Sequence, residues 1–450
     1  MVVSAFAIGA LAYPIFNLGF IDTILIIFFI NILGIIPVSF FSTFGPRFGL
    51  RQMVLSRFFF GWYGVKISKV HLQSSKNTIN NKLVAVFNIL ACIGWSSVNV
   101  IVGAQLFNAV NSNMPGWAGI IVIAAATFLV TLFGYKIVHT YERYSWIPCL
   151  IIFLIVLGEF AHSGNFSNIP MGVGISEAGS ALSFAASVFG FATGWTSYAA
   201  DYTVYQPVNR SRRSVFAWTF AGLSFPLLFT EMLGAAVATA MAANDGNNEF
   251  GNGYFSSGIG GLLAAVIVPP LGRFGQFCLV ILALSIIANN CPNIYSVSLS
   301  LQLLARKSQR VPRFIWTFIA TLVYCAIAIP GYSHFESVLE NFMLLIAYWL
   351  AIYEGISVSE HVLFKRGFGG YHPEDYMSKD KLPPGFAAIL AFCFGVMGAV
   401  LGMAQQWFIG PIGKLCGGKF GGDVGFELAF AFSAISYCIL RYFEKKHFGR

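Results

Sequence analysis

Apolar runs long enough to cross a lipid bilayer recur along the whole chain, and this recurrence restricts the fold more than any other feature. A spanning helix needs about 20 mostly apolar residues. Hydrophobic residues make up 57% of the 450 residues and charged residues only 10%, so one water-soluble core cannot enclose them. We therefore predict an all-α integral membrane protein with twelve transmembrane helices. The predicted spans are residues 1–17, 22–43, 83–108, 117–135, 146–162, 180–199, 215–242, 274–303, 314–330, 338–358, 385–404 and 423–441.

The basic residues are distributed unevenly between the two sides of these spans. With the N-terminus assigned to the cytoplasm, 24 of the 27 Lys and Arg residues lie on the cytoplasmic side, and only Arg273, Lys414 and Lys419 lie outside. This asymmetry follows the positive-inside rule, so a multi-pass protein with both termini in the cytoplasm is predicted. The net charge of +9 therefore reflects topology in a lipid bilayer and indicates no nucleic-acid partner.

The eighth span carries polar groups that hydrocarbon disfavours. Asn289 and Asn293 are one helical turn apart and share a face. Pro292, between them, lacks an N–H group, so the carbonyl of Ala288 loses its helical partner. An unpaired amide at membrane depth costs about 1–3 kcal/mol. The pattern therefore favours amides that read the edge of a ligand, although asparagines also join helices at about 0.6 kcal/mol per hydrogen bond.

Two other spans add indole rings. Trp95 and Asn99 share one face of the third span, and Trp195 follows Gly194 in the sixth. Indoles that stack on the faces of a ligand, with amides at its edge, suit a flat, neutral, heteroaromatic molecule. The alternative for Trp195 is a tryptophan of the interfacial belt.

Three further polar residues are site candidates. Ser4 is the polar group of the first span, where a packing role is the alternative. Glu231 and Glu354 are acids within apolar runs and are therefore candidates for proton relay. Glu354 lies near the cytoplasmic third of its span, so simple solvation is the alternative there.

Signatures of other function classes are missing from the sequence. The seven histidines lie in loops or at span ends, without an HExxH motif or a pair within a span, so neither a metal site nor an enzyme is predicted. No GxxxxGK[ST] motif indicates ATP as the energy source, and no other cofactor is indicated. Rings of charge or repeated filter loops, which channels use, do not occur.

Four motifs together resemble the fungal purine–cytosine permeases of the nucleobase cation symporter-1 family. They are Gly45–Arg57 (GPRFGLRQMVLSR), Gly94–Asn99 (GWSSVN), Gly190–Trp195 (GFATGW) and Ala288–Tyr295 (ANNCPNIY). The resemblance implies the LeuT-like fold, with a 5+5 inverted repeat plus two C-terminal helices. It also implies import of cytosine and of purines such as adenine, guanine or hypoxanthine across the plasma membrane.

The resemblance also implies roles for single residues. It assigns Trp95 and Asn99 to the substrate pair of span 3, Trp195 to the stacking position of span 6, and Ser4 to a polar contact in span 1. Asn289, Pro292 and Asn293 match the recognition motif of span 8. Sodium-coupled bacterial relatives carry hydroxyl groups where this chain has Ile287 and Ala288, so the resemblance favours proton coupling.

The inverted repeat that the resemblance implies divides the chain into four segments. Residues 1–162 form the first inverted repeat, 163–364 the second, 365–384 a cytoplasmic loop, and 385–450 two further helices with a short tail. The matching pieces Phe6–Gly9 and Phe191–Gly194 share three of four residues, as expected where paired helices break at the same place.

Two departures from the family pattern lie outside the four motifs. The first span is short for a crossing, so helix 1 is expected to be truncated. Residues 67–81 also look longer than the family pattern. Either departure is real or an error in the gene model.

The sequence as a whole therefore favours a secondary active transporter for nucleobases that works by proton symport and alternating access. Two alternatives stay open. One is an allantoin, uracil or hydantoin carrier of the same superfamily, and the other is a nucleobase sensor that moves no solute. The sequence ranks neither cytosine against the purines nor Glu231 against Glu354.

Overall fold

The computed structural model describes residues 2–62, 82–132, 135–304 and 306–450, most of which are helical. The predicted extra length at 67–81 lies outside these residues. The α-helices are α1 (Val3–Ala10), α2 (Phe20–Ser42), α3 (Phe44–Phe48), α4 (Gln52–Phe60), α5 (Lys82–Val110), α6 (Gly116–Leu132), α7 (Tyr135–Ser163), α8 (Ile175–Ala192), α9 (Ala199–Thr203), α10 (Arg212–Ala238), α11 (Glu249–Leu271), α12 (Arg273–Leu304), α13 (Arg306–Arg310), α14 (Arg313–Gly331), α15 (Phe335–Ser359), α16 (Phe386–Gly402), α17 (Pro411–Leu415) and α18 (Gly425–Phe448).

Short irregular elements join these helices. The 3₁₀ segments are Thr196–Tyr198, Thr239–Gly246, Tyr332–His334, Phe368–Gly370 and Pro373–Met377, and Glu360–Phe364 is a π-helical turn. Strands β1 (Ala404–Gln405) and β2 (Phe408–Ile409) form an antiparallel hairpin.

Nine helices in the described part of the chain are long and apolar enough to cross a membrane, and α6 and α16 are shorter apolar helices. One of the nine, Arg313–Phe364, contains both α14 and α15. Each predicted span coincides with one of α1, α2, α5–α8, α10, α12, α14–α16 and α18. Helices satisfy their own backbone groups in lipid, and the predicted helical membrane architecture is confirmed. The count of twelve crossings stays a prediction.

Helix α11 is long enough to span, but its chain reverses midway. Ser257 and Gly258 leave the helical conformation, and Gly258 has a φ of +57°, which glycine adopts without steric cost. A Cβ atom on Gly253 would lie 2.6 Å from the carbonyl oxygen of Gly261. The two arms of α11 therefore pack against each other.

Helices α5 and α12 form the centre of the bundle. In each of these two helices 72% of the 18-residue apolar stretch is buried, compared with 28% in α18. Glycines let α1 pack backbone to backbone against α10, because a Cβ atom on Gly9 would lie 1.8 Å from the carbonyl oxygen of Glu231. Such contact of small residues is typical of membrane helices.

The sixth predicted span is interrupted. Helix α8 ends at Ala192, Thr193–Trp195 form a turn, and a 3₁₀ segment then leads into α9. A Cβ atom on Gly194 would lie 2.8 Å from the indole of Trp95, so glycine allows the turn to approach α5. The break places Trp195 close to Trp95 in the middle of the bundle.

Candidate functional site

A cavity of about 260 Å³ lies beside this helix break. Five of the seven predicted substrate-binding residues line it: Trp95, Trp195, Asn289, Pro292 and Asn293. They reach it from α5, the break and α12, which are far apart in the sequence. Helices α1 and α10 supply mostly apolar walls.

Both indole rings line the cavity. Trp95 is held edge-on by Phe191 and Phe342, with ring centroids 5.2 and 5.4 Å away. Trp195 contacts Tyr198 and Tyr202, with ring centroids 5.2 and 5.3 Å away, and lines the cavity. The buried Nε1 of Trp95 has no hydrogen-bond partner among the described residues.

The polar edge of the cavity is formed by α12. The Nδ2 atom of Asn293 donates to the carbonyl of Asn289 at 3.3 Å, and the hydroxyl of Tyr198 donates to Oδ1 of Asn293 at 3.4 Å. Both distances exceed the usual upper limits of about 3.2 Å for N–H···O and about 3.0 Å for O–H···O hydrogen bonds, so these bonds are weak. Helix α12 continues through Pro292, with Ala288 and Pro292 both on the cavity wall.

The other two predicted substrate contacts lie behind the wall. Ser4 and Asn99 are fully buried, and the hydroxyl of Ser4 donates to Oδ1 of Asn99 at 2.6 Å. The Nδ2 atom of Asn99 is 3.5 Å from Oδ1 of Asn290. The structure therefore pairs Ser4 with Asn99 and places neither side chain on the surface of the cavity.

The two candidate proton carriers are buried outside the cavity. Glu231 is fully buried and accepts a hydrogen bond from Nδ2 of Asn31 at 2.6 Å, while its Oε1 has no partner in the described part of the chain. Glu354 is 3% exposed, so the alternative of simple solvation is wrong. It accepts hydrogen bonds from Thr193 and Thr196, which flank Trp195.

Several aromatic and polar residues of the cavity were missed by sequence reasoning. They are Phe191, Tyr198, Tyr202, Ser145, Trp146, Thr230 and Ser285. Tyr198 and Tyr202 follow Trp195 at helical spacing, and this was the available signal. Among the described residues, no group of three or more His, Cys, Asp or Glu side chains could hold a metal ion.

Comparison with protein families gives a match over residues 1–410 to the model for permeases of cytosine/purines, uracil, thiamine and allantoin. A purine-cytosine permease of Emericella nidulans is 60% identical over 450 residues, which is 100% of this chain and 84% of the relative. A purine-cytosine permease of Saccharomyces cerevisiae is 44% identical, with 100% and 82% coverage, and a vitamin B6 transporter of that yeast is 31% identical, with 99% and 82% coverage.

Solved structures show the same fold. Mhp1, a nucleobase-cation-symport-1 family transporter in a closed conformation with bromovinylhydantoin bound, superposes with a TM-score of 0.71 at 13% identity. The match covers 98% of this chain and 90% of that one. The inward-facing conformation of Mhp1 gives a TM-score of 0.60. The predicted LeuT-like transporter fold is therefore confirmed.

Proposed function

We propose, from the premise that this chain belongs to the family of permeases for cytosine/purines, uracil, thiamine and allantoin, that it imports nucleobases by proton symport. The substrates we propose are cytosine and the purines adenine, guanine and hypoxanthine, and the purine-cytosine permeases among its relatives support this class. The site we propose is the central cavity. The membrane we propose is the plasma membrane, with both termini in the cytoplasm.

The observation that supports this proposal most is the convergence of two indoles and two amides on one cavity of about 260 Å³. A nucleobase is flat, neutral and heteroaromatic, with hydrogen-bond donors and acceptors only at its edge. The rings of Trp95 and Trp195 offer stacking faces. Asn289 and Asn293 each offer both a donor and an acceptor to that edge.

Ser4 and Asn99 complete the proposed site. Asn99 lies one helical turn from Trp95, and its amide contacts Asn290, which is adjacent to Asn289. A shift of α1 that releases Ser4 from Asn99 would turn the Asn99 amide towards the substrate. Asn99 and Ser4 therefore bind or position the base in a state other than the one described.

Alternating access is the transport mechanism that we propose. The likeness to Mhp1 supports two inverted repeats, residues 1–162 and 163–364, followed by the loop 365–384 and the two helices of 385–450, with twelve crossings in total. The broken helix of the second repeat carries Trp195 at the midplane site. Rocking of the repeats would expose this site to each side in turn.

Glu231 and Glu354 are the proposed proton carriers. Glu354 bonds to the two threonines that flank Trp195, so loss of its charge would alter the break that holds the stacking ring. Glu231 joins α10 to α2 through Asn31. For the residue that couples, substitution by Gln should retain cytosine exchange and abolish accumulation driven by a proton gradient. Exchange and accumulation in proteoliposomes separate the two candidates.

Uptake of labelled cytosine into proteoliposomes tests the proposed function. Asn293→Ala should weaken apparent affinity about fivefold, because one lost hydrogen bond contributes about 1 kcal/mol. Asn113→Ala, at an exposed asparagine in a loop, serves as the matched control. Full affinity in Asn293→Ala would reject the site, and absence of uptake by the wild type would reject the function.

A carrier of allantoin, uracil or hydantoin is the second candidate. The family description includes uracil and allantoin, and Mhp1 holds a hydantoin. Competition by these compounds against labelled cytosine distinguishes the two candidates. A nucleobase sensor would be indicated by cytosine binding without any accumulation.

A further inference from the structure

A second cavity, of about 350 Å³, lies between α4, α9 and α12. Its lining combines apolar side chains with polar and charged ones, and the polar and charged ones include Arg51, Asp201, Ser296, Ser300 and Gln302. None of these residues belongs to the central cavity. The proposed substrate site and its candidate proton carriers therefore leave this cavity without a role.

One face of α12 lines both cavities. Asn289 and Asn293 border the central cavity, while Ser296 and Ser300 border the second. Steps of three or four residues keep all four side chains on one side of a helix. These four residues form a polar stripe on α12. The stripe runs along one face of the helix from the central cavity to the second cavity.

The chain after the helix break separates the two cavities. Tyr198 and Tyr202 line the central cavity, whereas Asp201 lines the second. Tyr198 is 3% exposed, and its hydroxyl reaches across to Asn293 on α12. Its ring therefore lies where the stripe passes from Asn293 to Ser296.

A hydrogen-bonded clamp, formed by Asn88 and its partners, lies beside the same stretch of α12. Asn88 of α5 is fully buried and donates to the hydroxyls of Ser296 and Ser300 at 3.1 and 3.2 Å. Its Oδ1 accepts a hydrogen bond from Ser197 at 2.9 Å. Asn88 thus ties α5, the 3₁₀ segment and α12 together beside Tyr198. All of these bonds are neutral, and neutral bonds are individually weak in net terms.

We propose that the second cavity is a transit site that receives the nucleobase as it leaves the central cavity, and that Tyr198 and the Asn88 clamp form the gate between them. This proposal rests on the proposed function. A ring N–H or amino group of the base would donate to Asp201, and a ring carbonyl would accept from Arg51. A cation and an anion that both line one cavity suit a neutral, polar ligand.

Both charged groups are held in place by the protein. Asp201 accepts a hydrogen bond from the backbone N–H of Gln52 at 2.7 Å. Arg51 donates to the hydroxyl of Tyr205 at 3.0 Å and lies 5.8 Å from the ring centroid of Tyr295. A base in the second cavity would therefore meet a preformed donor and a preformed acceptor.

Blocking the second cavity after folding tests the transit site. Ser300→Cys is reconstituted in proteoliposomes, shown to take up labelled cytosine, and then modified with a bulky maleimide, with the extent of modification measured by mass spectrometry. We expect uptake to fall by about tenfold or more while the dissociation constant for cytosine changes by less than about twofold, the pattern of a block in a later step.

The wild type, treated with the same reagent, controls for the native cysteines and should keep its uptake. Unchanged uptake by fully modified Ser300→Cys would overturn the transit site, as would an introduced thiol that stays unreactive during turnover. Ser300→Trp provides a second test, because it should bind cytosine and not transport it. If the wild type fails to bind cytosine, the proposed function fails instead, and binding is measured separately.

The gate has its own readout. Tyr198→Phe removes the hydroxyl that reaches Asn293, so the thiol introduced by Ser300→Cys should react with the maleimide faster in the double variant than in Ser300→Cys alone, at equal protein and reagent concentrations. An equal or slower reaction would exclude Tyr198 as the gate.

Discussion

Two regions of the molecule bury polar side chains within a largely apolar bundle, and they do so in opposite ways. Near the ends of α15 and α18, Arg441 donates to Glu360 at 3.1 Å and to Glu444 at 2.9 Å, and Tyr437 donates to Glu360 at 3.0 Å. The backbone N–H of Gly385 donates to the remaining oxygen of Glu444. Each carboxylate oxygen in this cluster has a protein partner.

The polar groups of the central cavity are not paired in this way. Asn293 makes only long hydrogen bonds there, and the buried Nε1 of Trp95 has no partner among the described residues. Buried polar groups in proteins are normally paired. The comparison indicates that the Arg441 cluster holds the fold together, whereas the polar groups of the cavity are available to a ligand.

The largest effect should come from breaking the Arg441 cluster. Arg441→Ala leaves the carboxylate of Glu360 buried without its cation, which costs about 3–5 kcal/mol. We expect a much lower melting temperature in detergent and little folded protein. Lys446→Ala, an exposed site on the same helix, should melt like the wild type. Wild-type stability in Arg441→Ala would remove the basis of the comparison.

Loss of the stacking ring should act on binding instead. Trp195→Ala removes an aromatic face, and stacking of a base on such a face contributes about 1–3 kcal/mol. The dissociation constant for cytosine should therefore rise between about fivefold and 150-fold, with an unchanged melting temperature. Trp218→Ala, at an indole that is 72% exposed, is the matched control. Lower stability together with unchanged affinity would assign Trp195 to the scaffold.

Asn289 should give a smaller effect of the same kind. Its side chain is partly exposed to the cavity, so Asn289→Ala removes one hydrogen bond to the base and leaves no buried group unpaired. We expect about a fivefold loss of cytosine affinity, measured by isothermal titration calorimetry. Asn289→Asp keeps the hydrogen-bond acceptor and loses the donor. A comparison of cytosine and guanine binding to this variant therefore shows whether Asn289 donates to the base or accepts from it.

Substitution of Ser4 should have the smallest effect on cytosine affinity. It tests whether Ser4 belongs with the paired polar groups or with the groups that are available to a ligand. Ser4→Ala removes the donor to the buried Oδ1 of Asn99, a loss of about 1 kcal/mol. Because Ser4 does not line the cavity in this structure, affinity for cytosine should fall by less than about fivefold. An affinity loss as large as that of Trp195→Ala would show direct contact with the base during the cycle.

Much of the fold and part of the candidate site could be predicted from the sequence because polar residues stand out in apolar spans. The spacing of Asn289 and Asn293 selected a pair on one face, and the structure puts both on the cavity. Asn290, the next residue, points about 100° away on a helix and meets Asn99 instead.

There is a physical reason why the remaining site residues could not be predicted. Helices α5 and α12 are buried on most sides, so no polar face shows which side of Asn99 meets a cavity. Tyrosine is common both in cores and in sites, so the helical spacing of Tyr198 and Tyr202 after Trp195 does not by itself mark them as site residues. The partners of Asn88 and Glu354 come from helices far away in the chain, and only tertiary structure brings them together.

The most direct test of the account is an electron cryomicroscopy map of the purified protein at a saturating concentration of cytosine. The account predicts density for one planar ring in contact with the indole of Trp195 and within hydrogen-bond distance of the amides of Asn289 and Asn293. It is contradicted if cytosine binds in solution under the same conditions and the ring density lies elsewhere, with those amides hydrogen-bonded only to protein.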